Sequence, residues 1–192
     1  MIIASTLQKS FGPQTLFDDV SFLINKGERI GLVGKNGTGK STLFKMIMGE
    51  EKQDSGTLST PKGYKIGALD QHIHFTKPTV IDECIEALPT EKQWDHYKAE
   101  IILSGLGFSE QDFQKDPTTF SGGFQVRINL CKALLADPNM LLLDEPTNYL
   151  DIVSLRWLKD YLNKWPGEMM LITHDRDFMD QVTTHTLGLH RR

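Results

Sequence analysis

Hydrophobic positions along this chain change their spacing several times, and each change marks a new part. Near the start, MIIASTLQKSF, VSFLI (20–24) and RIGLVG (29–34) read as strands. Phe17-Asp18-Asp19 separates the first two, and Asn25-Lys26-Gly27 is a turn signal before the third. From Gly39 the period lengthens, and GKSTLFKMIMG places Leu43, Phe44, Ile47 and Met48 on one helical face. Two short strand-like pieces follow, GTLST and YKIGALDQ, broken by Pro61-Lys62-Gly63. Between about 79 and 136 the pattern is helical: VIDECIEAL fits a short amphipathic helix, Trp94 to Leu106 a second with Ile101, Ile102 and Leu106 apolar, and a third opens near Ser121. After Asp137-Pro138 strand and helix alternate: strand 140–144, helix 151–164, strand 168–173, helix 175–182, strand 184–189.

Such alternation predicts an α/β fold with a parallel sheet. The expected organisation is one domain over 1–192, with an α/β core from 1–78 and 137–192 and a helical subdomain at about 79–136. No internal repeat or low-complexity segment interrupts it.

Composition changes this picture only by exclusion. The 192 residues are 39% hydrophobic and 24% charged, with a net charge of −4. That lacks the basic footprint of a chain that binds nucleic acid on its own, although local basic patches stay open. Cys84 and Cys131 stand in no metal-like spacing, so a reducing compartment and no disulfide framework are expected. The longest apolar runs, MLLLD at 140–144 and MMLIT at 169–173, fall far short of the ~20 residues of a membrane span. The N-terminus has no basic region ahead of an apolar core, so no signal peptide is expected. The chain reads as cytoplasmic.

Candidate chemistry begins at GKNGTGKS, residues 34–41, which fits G-x-x-x-x-G-K-[ST] after a strand and before a helix. Across Gly34, Lys35, Asn36, Gly37, Thr38 and Gly39 the glycines let backbone N–H groups turn inward around phosphate oxygens, and the helix N-terminus adds partial positive charge. Lys40 is placed to neutralise the β- and γ-phosphates, the Ser41 hydroxyl to ligate Mg2+, and Thr42 to contact the α-phosphate. An accidental glycine-rich turn is the bland alternative, and the strand and helix on either side argue against it.

MLLLDEPTN, 140–148, is an apolar strand ending in two carboxylates, delivered to the ligand-binding edge of a parallel sheet. Asp144 is the candidate to hold Mg2+, and Glu145 to orient or deprotonate a water attacking the γ-phosphate. An acidic turn after a core strand is the plain alternative. His174 follows MMLIT and also reaches a strand's C-terminal end, where it could meet the γ-phosphate or that water; a polar turn residue is the rival reading. His72 and His74 lack further ligands and read as solvated strand residues. Trp157 and Trp165 read as packing residues, and Asp82-Glu83-Glu86 as a wet helix face. Arg176 and Asp177 read equally as switch-ordering residues or as a solvated helix start. In FSGGFQVRINL, 120–130, Ser121 can cap a helix, while Gly122 and Gly123 weaken the helix they start yet let N–H groups approach an anion.

These motifs, in this order, resemble those of an ABC-type ATPase. In the resemblance Gln71 of ALDQ is the Q-loop glutamine near the metal, SGGFQ (121–125) the signature motif including Gln125, Asn148 to Asp151 the D-loop, His174 the switch histidine, and Phe11 the aromatic that stacks on adenine. It implies a P-loop NTPase core with an N-terminal antiparallel β subdomain. It also implies ATP and Mg2+ as ligands and head-to-tail pairing with a second ABC ATPase domain. The signature loop then completes the partner's site. LDEPTNYLD, FSGGFQVRINL with Arg127, GERIGLVGKNGTGKST and GLGF at 105–108 are similar to the ABC-F subfamily. Those proteins carry two such domains in one chain and act on the ribosome and its rRNA, with no membrane expected as a partner. This chain is expected to be the first of the two. A separation of fifty positions from Gln71 to Ser121 leaves little room for the family's helical arm, whose expected place is 88–96, so a fragment is expected. The ATPase subunit of an ABC membrane transporter is the alternative, and an ATP-dependent docking module without hydrolysis the third reading.

Overall fold

The computed structural model describes residues 1–69, 73–92 and 94–190. Gln71 and His72 therefore lie outside the described residues.

The first strands form a hairpin. β1 (Ile2–Phe11) pairs antiparallel with β2 (Gln14–Ile24), turning at Gly12-Pro13, where Gly12 has φ 55°. The expected break at Phe17-Asp18-Asp19 is absent, because these residues lie within β2. Asp19, at φ 54°, accompanies a register shift, and Phe17 is buried. A bulge with two carboxylates imitates a loop in sequence. β4 (Ser55–Ser59) pairs with the other edge of β1, completing a three-stranded sheet.

The second sheet has five parallel strands. β3 (Arg29–Gly34) lies between β8 (His185–Leu189) and β7 (Glu168–Ile172), followed by β6 (Met140–Asp144) and β5 (Ile66–Ala68). β6 and β7, at its centre, are buried on both faces, as a sheet covered on both sides requires, while the edge strand β8 is largely exposed. Met140 and Leu142 join Met170 and Ile172 in a core with Ile2, Leu7 and Phe17 of the hairpin sheet and Leu43, Phe44 and Ile47 of α1 (Lys40–Met48). Leu141 and Leu143 point the other way, with Met169 and Leu171, into a core built with the remaining helices. Met48 is only half-buried, and Met46 takes the buried place instead.

Those helices are α2 (Val80–Ile85), α3 (His96–Gly105), α4 (Gly122–Leu135), α5 (Ile152–Asn163) and α6 (Arg176–Val182). Gly105 sits so close to Trp157 that a Cβ there would fall 2.0 Å from its ring, so α3 meets α5 through a glycine. Trp157 stacks on Tyr161 with ring centroids 5.1 Å apart, and Trp165 is buried, which gives both tryptophans a packing role. Two expectations fail. His74 lies in no strand, and Glu83 is not on a wet face but 1% exposed beneath α2. Among the described residues no helix is long and apolar enough to cross a membrane.

Candidate active site

Three neighbouring parallel strands end at the same edge and bring the predicted chemistry together. β3 ends at Gly34, β6 at Asp144, and β7 runs into Thr173 and His174. The cleft there, about 520 Å3, is lined by Phe11, Asn36, Gly37, Gly39, Lys40, Ser41, Thr42, Asp144, Glu145 and His174. A larger cleft of about 610 Å3, floored by Trp157, Tyr161 and Trp165, lies between α3 and α5 and shares none of these residues.

The loop 34–39 needs its glycines for stated reasons. Gly37 and Gly39 adopt φ 77° and 101°, which side-chain-bearing residues rarely do. A Cβ on Gly34 would lie 2.7 Å from the Leu189 carbonyl oxygen, and one on Gly39 2.9 Å from the Phe17 ring. Buried Thr38 braces the loop by donating its hydroxyl to the Lys35 carbonyl at 2.8 Å. Lys40 Nζ donates to the carbonyls of Gly34 (2.8 Å) and Lys35 (3.3 Å), which parks its charge over the loop. Helix α1 has no acidic residue in its first turn, so nothing of its own neutralises the positive end.

Ser41 Oγ donates to Asp144 Oδ2 at 3.1 Å. These are hard oxygen donors at the mouth of the loop, a pairing that fits a largely hydrated Mg2+. Among the described residues no three His, Cys, Asp or Glu gather as a metal site. The third expected metal contact, Gln71, is outside the described residues.

Glu145 adopts φ 52°, an uncommon backbone for a residue with a side chain. Its amide donates to the Ile172 carbonyl at 2.8 Å, anchoring it to β7. Its carboxylate accepts from the His174 amide at 3.3 Å and stands 3.5 Å from His174 Nε2. The hydroxyls of Thr147 and Thr173 meet at 2.9 Å behind them. Carboxylate and imidazole are thus held side by side facing the loop.

Ser121, Gly122, Gly123, Gln125 and Asp151 lie outside this cleft. Ser121 occupies the N-cap of α4 but makes no side-chain capping bond, which corrects the expected cap; its side chain is exposed. The turn is held by Gln125 instead, whose Nε2 donates to the carbonyls of Phe120 (2.9 Å) and Thr118 (3.3 Å). Asp151 caps α5, accepting from the amides of Val153 (3.0 Å) and Ser154 (2.9 Å), and takes Arg127 Nη1 at 3.1 Å. The Ser154 amide and then the guanidinium hold its carboxyl below the usual 3.8. Sequence reasoning missed how much Arg127 does. Its buried guanidinium also donates to the Leu106 carbonyl (2.8 Å) and twice to that of Tyr149 (2.9 and 2.6 Å), and lies 4.5 Å over the Phe124 ring. A lone arginine inside the apolar run VRINL was the available signal. Buried arginines need partners.

The family model described as "ABC transporter" matches residues 17–148, most of the chain and most of the cleft. The chain belongs to the ABC ATPase family. It is 42% identical over 186 residues to the Energy-dependent translational throttle protein EttA of Escherichia coli (strain K12), covering 95% of this chain and 34% of that protein. It is 32% identical over 222 positions to the Probable ATP-binding protein YheS of the same strain, covering 100% of this chain and 35% of that protein. The YheS match is longer than the chain's own 192 residues, so YheS carries segments this chain lacks. The likeness to EttA fits the ABC-F subfamily that the motifs resemble. The chain spans about a third of the length of these relatives. Among solved structures, an ATP-binding subunit of an ABC transporter aligns with TM-score 0.86 and 22% identity, over 99% of this chain and 86% of that one. A dimeric post-hydrolysis state of an ATP-binding cassette bound to ADP and Pi aligns with TM-score 0.76 and 21% identity, over 100% and 97%. Both share the fold of two sheets and helices described above.

Proposed function

We propose that this chain binds and hydrolyses ATP with Mg2+ as one nucleotide-binding domain of an ABC-F translation factor that works on the ribosome in the cytoplasm. ATP drives it head to tail onto a second such domain. One observation carries the reading: the glycine loop with Lys40, the Ser41–Asp144 pair and the Glu145–His174 pair converge from three strands on one cleft. The support for the ribosome is the 42% likeness to a protein named a translational throttle.

In this reading the amides of 35–39 surround the phosphates, Lys40 leaves the loop carbonyls for the β- and γ-phosphate oxygens, and Thr42 meets the α-phosphate. Phe11, exposed at the cleft rim, stacks on adenine. Ser41, Asp144 and Gln71 hold Mg2+, which when bound supplies charge neutralisation on the phosphate oxygens. Glu145 accepts the proton of the attacking water while His174 orients it. Ser121, Gly122 and Gly123, with Gln125 bracing their turn and Asp151 beside them, serve the ATP of the other domain.

The test is solution mass by light scattering of Glu145→Gln with and without Mg-ATP, together with its turnover. Removing a general base costs about 10²–10⁴ in rate, so the variant should retain ATP and double in mass only with ATP. Hydrolysis at the parental rate would refute the role of Glu145. A monomer with ATP bound would refute pairing between copies of this chain. In the longer parent, co-sedimentation with ribosomes rather than membranes separates this reading from a transporter subunit.

A further inference from the structure

Glu83 is a buried carboxylate that the proposed chemistry does not use. Its Oε2 accepts the backbone amides of Thr76 and Lys77, both at 2.9 Å, and its Oε1 takes the ammonium of Lys132 on α4. Glu86, at the C-cap of α2, grips the same two residues by their side chains: Lys77 Nζ at 2.8 Å and Thr76 Oγ1 at 3.4 Å. On its other side α2 hangs from the segment that leads into Ser121, with the Val80 amide on the Lys115 carbonyl and the Ile81 amide on that of Phe113, both at 3.0 Å. Thr76 and Lys77 lie in irregular backbone a few residues after Gln71. Lys132 lies on the helix whose first turn is Gly122-Gly123.

An apolar pair would pack α2 on α4 as well as this ion pair does, since desolvating two charges offsets most of their attraction. A carboxylate does what an apolar side chain cannot. It binds two amides of a segment that has no ladder of its own and ties them to a cation on another helix. Burial raises the Glu83 carboxyl, but Lys132 and the two amides outweigh that and leave it below 4.5, so it stays charged at neutral pH.

We propose that α2, through Glu83, couples the signature end of α4 to the segment that follows Gln71, so that engagement of Ser121-Gly122-Gly123 by a second domain is felt at this chain's own nucleotide. Glu83 is then a positioning residue. The inference rests on the function proposed above, in which Gln71 and the signature serve two different ATP molecules. A stiff helix moves as a body, so a shift of α4 carries Lys132, and with it Glu83 and the amides of Thr76 and Lys77.

Amide hydrogen exchange on the whole chain tests this, because Lys132 does not itself bond to Thr76 or Lys77. Lys132→Met should speed exchange at those two amides by about tenfold while leaving the β1–β2 hairpin unchanged, and Glu83→Gln should do the same. The double variant should be no faster than Glu83→Gln alone, since the two act in series, and Lys132→Arg should restore protection. In hydrolysis, Glu83→Gln should lower kcat by about tenfold with KM held within about twofold. Unchanged protection at Thr76 and Lys77 in Lys132→Met, or exchange rising equally everywhere, overturns the coupling. So does a fall in kcat that merely follows the folded fraction. Nucleotide affinity on the same samples reports separately on the proposed function: a wild-type chain that binds no ATP refutes that reading, while the exchange data still decide the linkage.

Discussion

Gly122 is where a structural and a functional account of one residue part. A Cβ built there meets nothing within 4 Å, and the residue is helical. Gly123 has a local reason to be small, since its Cβ would lie 3.1 Å from that of Tyr149. Gly122 has none among the described residues, although glycine in a helix costs about 0.5–1 kcal/mol relative to alanine. The pairing proposed above supplies one, an anion approaching from a second domain. Gly122→Ala should leave the thermal midpoint unchanged or slightly raised, yet abolish ATP-dependent doubling of mass in a Glu145→Gln background. Undiminished association would remove the case for an anion at this turn. The glycine pair was legible in sequence because its cost to the helix is local. Glu83 was misread because its partner Lys132 is 49 positions away, and no local pattern separates a wet carboxylate from one buried on a distant lysine.

Elements were legible where one physical signal dominates. β3 and β6 appear with the predicted bounds because buried parallel strands are continuous apolar runs flanked by turn residues. β2 was cut short because the bulge at Asp19 carries loop-like residues inside a strand. α5 shows how an element's end can be set from elsewhere. Its cap Asp151 serves two of its own amides and the Arg127 guanidinium of α4 at once. Asp151→Asn keeps a capping oxygen but loses the charge facing Arg127. Because Asp151 is half exposed, the loss at neutral pH should be only about 0.2–1 kcal/mol. The folded carboxyl sits below its ordinary 3.8, so the charge contributes fully above that value and is lost as pH falls through the lower, folded one. The gap between wild type and Asp151→Asn in urea midpoint should therefore be constant near neutrality and close in acid. A gap that widens as pH falls would contradict the assigned cause.

At the scale of the molecule, the sequence order of elements predicts a parallel sheet, but the strand order β5-β6-β7-β3-β8 was not legible, because it depends on which crossovers bring distant runs together. That order makes β3, β7 and β6 neighbours and so brings the glycine loop, Asp144 and His174 to one edge. The signature turn, proposed to serve the ATP of a second domain, lies outside that cleft, beside a segment running directly from Glu145. Tyr149, Ile152 and Val153 there are 66%, 65% and 72% exposed, with Tyr149 against Gly123. Scattered exposed apolar residues are ordinary, but three within five positions, one of them against the signature turn, suit a surface that is covered when a second domain arrives. Val153→Asp tests this with little risk to the fold. Position 153 is in the first turn of α5, where a carboxylate interacts favourably with the helix dipole. Its thermal midpoint and ATP affinity should match wild type, while ATP-driven association should weaken by about tenfold or more, since a desolvated unpaired charge costs more than 1.4 kcal/mol. Association at wild-type strength would place the contact with the second domain elsewhere and leave this patch without a role.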